Sequence, residues 1–241
     1  MNSEKEYQTM KNTMVKPIKH LLIALILFSL LGLEFPVFFL SRLVDGRAAS
    51  EVFNWPVNWY GAIFHWTVTI ILWAVGAWII YTWAERKGVQ SDVLRVKINQ
   101  RDLVLLAIGV AFVIVYEMVY SRLTGLRIPQ IWREYLGFQS MYGSKAWIVS
   151  LFQNMYYLME FIMVVMIIAF FQRAGELWSK LFWFPWGGIG LGLTWGMIHL
   201  VTNPQGALGV IVWALILGIL FILSKKSLFT TWIVGVLGFI I

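Results

Sequence analysis

Two ionisable residues, Glu160 and His199, each lie inside an apolar stretch long enough to cross a bilayer, Ala146–Phe171 for the first and Phe182–Thr202 for the second. A charged side chain at that depth costs about 3 kcal/mol in insertion experiments, so such residues face a protein interior and mark candidate functional sites. A carboxylate that accepts a proton, beside an imidazole that orients a water, is the minimum needed to activate that water as a nucleophile.

The neighbours of each residue fit that chemistry. Gln153, Tyr156 and Tyr157 precede Glu160 by seven, four and three residues, so all four share a broad helical face. Met163, Val164 and Ile167 continue that face in apolar form. Two readings stay open for Glu160: a base holding a water among polar neighbours, or a protonated acid hydrogen-bonded to an adjacent helix. His199 follows Gly188, Gly192 and Gly196, a small-residue repeat that lets another helix approach closely. Trp195 stands one turn before it, while Thr202 and Asn203 follow at three and four residues and can orient the ring. Three further ionisable residues fall in or beside apolar runs. Glu34 precedes Phe35-Pro36 and reads as a structural or boundary residue; His65, among Phe64, Trp66 and Trp73, reads as interfacial. Glu117 lies close to Arg122 at the end of a span.

The elements that must position these groups are membrane helices. Hydrophobic residues make up 60% and charged residues 13% of the 241, against about 25% charged in a soluble domain; the mean hydropathy is +0.75. Fourteen tryptophans and nine tyrosines suit the lipid–water boundary. The absence of cysteine excludes disulfides, thiolate metal sites and cysteine nucleophiles. No cleavable signal peptide is expected, because the first apolar segment is long and has no small-residue cleavage pattern after it.

Runs of roughly 20 apolar residues, the length that crosses about 30 Å of hydrocarbon, occur at Ile18–Leu40, Trp59–Trp83, Leu103–Tyr120, Ala146–Phe171, Phe182–Thr202 and Ala207–Leu223. A seventh, Leu228–Ile241, has 14 residues and reaches only about 21 Å. The expected fold is therefore all-α: a polytopic transmembrane helical bundle of six to seven spans. A short interfacial helix is expected over Ile128–Phe138, where Ile128, Ile131, Trp132, Tyr135 and Leu136 share one face, Arg133 and Glu134 lie elsewhere, and Pro129 suits a first turn. Residues 1–17 read as a cytoplasmic polar tail and 18–241 as one membrane-embedded domain.

Basic residues set the orientation. With the N-terminus inside, the inner side holds Lys5, Lys11, Lys16, Lys19, Arg86, Lys87, Arg95, Lys97, Arg101, Arg173, Lys180, Lys225 and Lys226, thirteen in all. The outer side holds six: Arg42, Arg47, Arg122, Arg127, Arg133 and Lys145. The bias follows the positive-inside rule. The net charge of +7 then reads as topology and attraction to anionic lipid, not as nucleic-acid binding.

From Ala146 onwards the order of features resembles the CPBP family, the CAAX-protease and bacteriocin-processing membrane proteins also called Abi. That family carries Glu-Glu-x-x-x-Arg on one membrane helix, Phe-x-x-x-His on the next, and a His-x-x-x-Asn or similar pair later. Here Met159-Glu160 stands at the paired glutamates, and Trp195-Gly-Met-Ile-His199 looks like the second motif. Gly206–Gly209, Leu217-Gly218 and Lys225-Lys226-Ser227-Leu228 are similar to the glycine-bearing helix and its basic-Ser-Leu turn. Met159 replaces the first glutamate, Val164 the arginine, and Gly235 and Phe239 occupy the third motif. Asn203 reproduces a His-x-x-x-Asn spacing after His199, one helix early.

The resemblance implies a CPBP-like core over about 146–241 and an intramembrane endopeptidase acting on a membrane-associated peptide or protein. Glu160 would be the general base and His199 its partner, with Asn203, Tyr157, Gln153 and Trp195 in support. No cofactor is expected, since a zinc site usually needs three protein ligands and two can be assigned. The implied setting is a bacterial cell membrane, with the bilayer itself as a partner. Two other readings stand beside it: a catalytically inactive scaffold that binds a membrane partner, and a small proton-linked transporter using Glu34, Glu117 and Glu160.

Overall fold

The computed structural model describes residues 2–45, 56, 58–87, 93, 100–124, 129–202, 204 and 207–240. Among these the structure is all-helical. In chain order the helices are α1 (Asn2–Leu31), α2 (Glu34–Val44), α3 (Trp59–Arg86), α4 (Gln100–Thr124), α5 (Gln130–Tyr142), α6 (Ala146–Ser179), α7 (Trp186–Leu191), α8 (Met197–Thr202), α9 (Ala207–Leu223) and α10 (Leu228–Ile240). Three runs are long and apolar enough to cross a membrane: Lys16–Val44, Trp59–Arg86 and Gln130–Ser179. Their apolar windows are 28%, 33% and 72% buried respectively. The first two therefore present most of that surface outward, as lipid-facing helices do, while α6 is largely enclosed.

The expected segments and the observed helices differ in instructive ways. The polar tail is helical from Asn2 and runs on into the first apolar segment, because its Glu, Lys, Gln and Met residues are good helix formers. The first span is broken at Gly32-Leu33. Pro36 explains the position of the break, since its ring clashes with the carbonyl four residues earlier, that of Gly32. Leu30 then has no helical donor four residues on, and its carbonyl accepts instead from the Trp73 indole at 2.9 Å and from the Leu33 amide at 3.0 Å. The fifth segment starts at Trp186 rather than Phe182, because Phe182–Pro185 forms a turn. The helix expected at Ile128–Phe138 is α5, one turn longer at its C-terminal end; Ile128 lies outside the described residues.

Two compact units make up the chain. The first comprises Met1–Ser29, Trp78–Leu105 and Met163–Thr231; the second comprises Leu30–Ala77, Leu106–Ile162 and Trp232–Ile241.

In the first unit, Met163, Val164, Ile167, Ile168 and Phe170 of α6 are fully enclosed, as are Leu191 and Leu217. Helices α7 and α9 cross at glycine. A Cβ built on Gly218 would lie 2.5 Å from the Gly188 Cα, and one on Gly188 would lie 2.8 Å from the Ala214 carbonyl. Gly196 faces Ile211 in the same way, at 2.8 Å. The small-residue repeat thus admits α9, in line with its role in close helix packing.

In the second unit, Trp66 and Trp73 of α3 are 1% exposed. Trp66 packs edge-on against Phe138 of α5, and Trp73 lies 4.9 Å from the Tyr156 ring of α6. Large rings at this spacing make α3 the wall against which α5 and α6 rest.

Candidate functional site

Glu160 lies in the second unit and His199 in the first. Each is set among partners of its own.

Glu160 is 7% exposed. Its carboxylate interacts electrostatically with the phenols of both Tyr156 and Tyr157, one turn before it on α6. From Tyr157 a hydrogen-bonded chain runs in two directions. The Tyr157 hydroxyl donates to Glu134 Oε1 of α5 at 2.9 Å, and Gln130 Nε2 donates to the same oxygen at 2.9 Å. Gln153 Nε2 donates to the Tyr157 hydroxyl at 3.0 Å. The helical face shared by Gln153, Tyr157 and Glu160 is therefore wired to α5 through Glu134, a residue whose place on α5 the sequence pattern set apart from its apolar face.

Tyr156 points the other way along this network. Its hydroxyl hydrogen-bonds Glu34 at the start of α2, and Glu34 Oε1 lies 3.4 Å from His65 Nε2 of α3. His65 is fully buried, edge-on to Phe38 at 5.3 Å. Glu34 and His65 are not separate boundary residues: they form one carboxylate–imidazole pair, joined through Tyr156 to the surroundings of Glu160. The sequence signal was present, since both residues are ionisable within apolar runs. What it lacked was the break at Gly32-Leu33, which makes Glu34 a helix start instead of a mid-span residue.

His199 follows an unusual turn. Gly192–Gly196 is a π-helical turn between α7 and α8, a feature common at functional sites. His199 Nδ1 lies 2.7 Å from the Trp195 carbonyl, and the two rings meet edge-on at 4.9 Å. A carbonyl only accepts, so Nδ1 is the donor in this bond, and in a neutral ring Nε2 is then the acceptor. Trp195, 3% exposed, thus fixes the tautomer of the imidazole. Asn203 lies outside the described residues, as do the side chains of Glu117 and Phe239. Val164 is fully buried in the core of the first unit, and Gly235 is buried on α10.

A second polar cluster, absent from the sequence reading, lies in the first unit. Glu176 of α6 is fully buried, and Lys226 Nζ lies 2.6 Å from its Oε2. Gln172 Nε2 donates to Glu176 Oε1 at 2.9 Å and to the Phe184 carbonyl at 3.0 Å, while Gln172 Oε1 accepts from the Gly187 amide at 2.9 Å. Arg173 approaches Glu176 at 3.9 Å. The i, i+4 spacing of Gln172 and Glu176 is the one sequence signal that marks it. Apart from the Gln172–Glu176 bond within α6, these hydrogen bonds tie that helix to the turn before α7, to its start and to the turn after α9, so this cluster shapes the chain rather than offering a reactive group.

Among the described residues, no three His, Asp or Glu side chains gather at metal-ligand spacing. No protein-family model, curated protein or solved structure matches the chain. Fold and site together define an all-helical protein with several helices able to cross a membrane and with buried carboxylates inside them.

Proposed function

We propose that the chain is a polytopic membrane endopeptidase of the CPBP kind, cleaving a peptide bond in a membrane-associated substrate. In this reading six to seven segments cross a cell membrane with the N-terminus inside, and α5 lies in the membrane surface. Glu160 takes a proton from a water and later returns it to the departing amine. In this reading His199 is the partner residue of that hydrolysis, its ring held by the Trp195 carbonyl. The observation that carries the reading is the setting of His199: it follows a π-helical turn, and its Nδ1 lies 2.7 Å from the Trp195 carbonyl, which orients the ring. Support also comes from the burial of Glu160 beside two phenols, a setting in which a carboxylate meets little bulk water.

The test is cleavage of a membrane-anchored peptide library by the purified full-length chain in proteoliposomes. Glu160→Ala and His199→Ala are each expected to abolish cleavage while insertion and helix content stay unchanged. Cleavage retained by either variant rejects the reading. A wild-type chain that cleaves nothing, yet co-purifies with a membrane partner in both variants, assigns it to the scaffold alternative.

A further inference from the structure

We propose that the end of the first unit where the turn after α9 meets the close of α6 binds the phosphate of an anionic phospholipid. Lys180 and Lys225 are its cations, and Trp178 and Trp183 its anchors in the headgroup layer. Such a surface rests on the membrane placement of the chain given above, and on no step of hydrolysis.

The backbone singles these lysines out. Among the described residues, those other than glycine with positive φ are Lys180, Lys225 and Lys226, at 64°, 52° and 66°. A Cβ is strained there, and helix ends in this conformation usually recruit glycine or asparagine. A lysine at such a position points to a use for its side chain. Lys226 has that use in the buried Glu176 carboxylate, 2.6 Å away. Lys180 has it only in part: one of its three N–H donors reaches the Leu177 carbonyl at 3.1 Å, near the end of α6. Among the described residues, neither Lys180 nor Lys225, both exposed, forms an ion pair.

Glu176 ties the two lysines to one place. The Lys180 amide donates to the Glu176 carbonyl at 3.0 Å, and Lys225 immediately precedes the lysine whose ammonium sits on the Glu176 carboxylate. All of these residues belong to the first unit. One enclosed carboxylate thus gathers three lysines and meets the charge of one of them. The other two present their charge outward at the same end of the unit.

The neighbouring rings name the occupant. Trp178, two residues before Lys180, is 70% exposed, and Trp183, three residues after it, is 71% exposed; Phe182 is exposed beside them. Large rings next to ammonium groups match the boundary of a bilayer, where an indole rests at headgroup level and a lysine reaches a phosphate. A soluble anion would satisfy the cations and leave these rings in water. The charge is complementary to an anionic leaflet, to which each nearby lysine adds about fivefold in affinity.

The test is quenching of tryptophan fluorescence in the full-length chain, held in phosphatidylcholine nanodiscs with rising fractions of brominated phosphatidylglycerol. Half-quenching is expected at a lower fraction than with brominated phosphatidylcholine, and Trp178→Phe combined with Trp183→Phe should remove that difference. Lys180→Gln and Lys225→Gln are each expected to raise the half-quenching fraction about fivefold, while Lys180→Arg and Lys225→Arg keep it. Lys225→Gly, which suits the backbone, should lose the preference without losing stability. Lys19→Gln, at an exposed cation of α1 in the same unit, should change nothing. An equal loss in Lys19→Gln overturns the local site in favour of diffuse attraction by every basic residue. A wild-type chain with no preference for phosphatidylglycerol overturns the lipid, and binding of a polyglutamate peptide that Lys180→Gln weakens would then assign the patch to an acidic protein segment. No substrate enters this measurement, so its failure and that of peptide cleavage are separable.

Discussion

The ammonium of Lys226 reaches 2.6 Å from a carboxylate oxygen of Glu176, which is wholly enclosed. The bond holds a difficult backbone. Lys225 and Lys226 both have left-handed conformations, φ 52° and 66°, at the C-terminus of α9. There the Lys226 amide donates to the Phe221 carbonyl at 2.7 Å and the Lys225 amide to the Ile222 carbonyl at 2.9 Å. This is the hydrogen-bond pattern that usually recruits glycine. Ser227 then stands just before α10, its hydroxyl accepting from the Thr230 amide at 3.2 Å.

Removing the acid should therefore open the turn. Glu176→Ala is expected to lower unfolding free energy by about 1–3 kcal/mol, below the full value of a buried pair because Lys226 remains partly in solvent. Denaturant titration of the detergent-solubilised chain measures it. An unchanged midpoint would show that the ion pair does not hold the turn.

The two lysines should respond differently to glycine. Lys225→Gly relieves a left-handed residue that has no ion pair among the described residues, worth about 1 kcal/mol, and is expected to leave stability equal or higher. Lys226→Gly loses the bond to Glu176 and is expected to be the less stable of the two in the same titration.

At the crossing of α7 and α9, added methyl groups meet backbone. Gly188→Ala and Gly218→Ala should each cost about 1–3 kcal/mol through overpacking. Gly209→Ala, on the same helix as Gly218, meets nothing within 4 Å and should instead gain up to about 1 kcal/mol from helix propensity. Thermal melting of the three variants gives the order, and equal melting would remove the close crossing as an explanation of the glycine repeat.

Trp73→Phe tests the break between α1 and α2. The variant keeps the ring against Tyr156 but leaves the Leu30 carbonyl without its indole donor, at an expected cost of about 1–2 kcal/mol. A matching rise in hydrogen exchange at Leu33, whose amide also donates to that carbonyl, should accompany it.

Much of this architecture was legible before any coordinates. Long apolar runs with few charges specify α3, α6 and α9, because in lipid only a helix satisfies its own backbone. Pro129 and the pattern after it marked α5. The sequence also flagged Glu34, His65, Glu160 and His199 as ionisable groups in apolar surroundings. Which of them meet was not readable. Glu34 and His65 sit on different helices, and their pairing depends on where Pro36 breaks the chain, a steric event one turn upstream of the proline itself. Glu134 was masked for another reason: α5 was judged by its apolar face, and the polar side that bonds Tyr157 carries no periodic signal. Glu176 lay beyond the last residue counted as apolar, where a carboxylate looks like ordinary surface charge until Lys226 is brought to it from fifty residues away.

The wide turn at Gly192–Gly196 also governs how this part of the chain can change length. A π turn closes on an i→i+5 bond and so holds one residue more than the α turn that could replace it. One residue fewer there would convert it to ordinary α-helix and leave the helix after it close to its present heading, whereas the same loss from an unbroken α-helix swings everything beyond it by about 100°. The surplus residue is thus slack stored just ahead of His199, and a single deletion in this turn is expected to spare the direction of the imidazole.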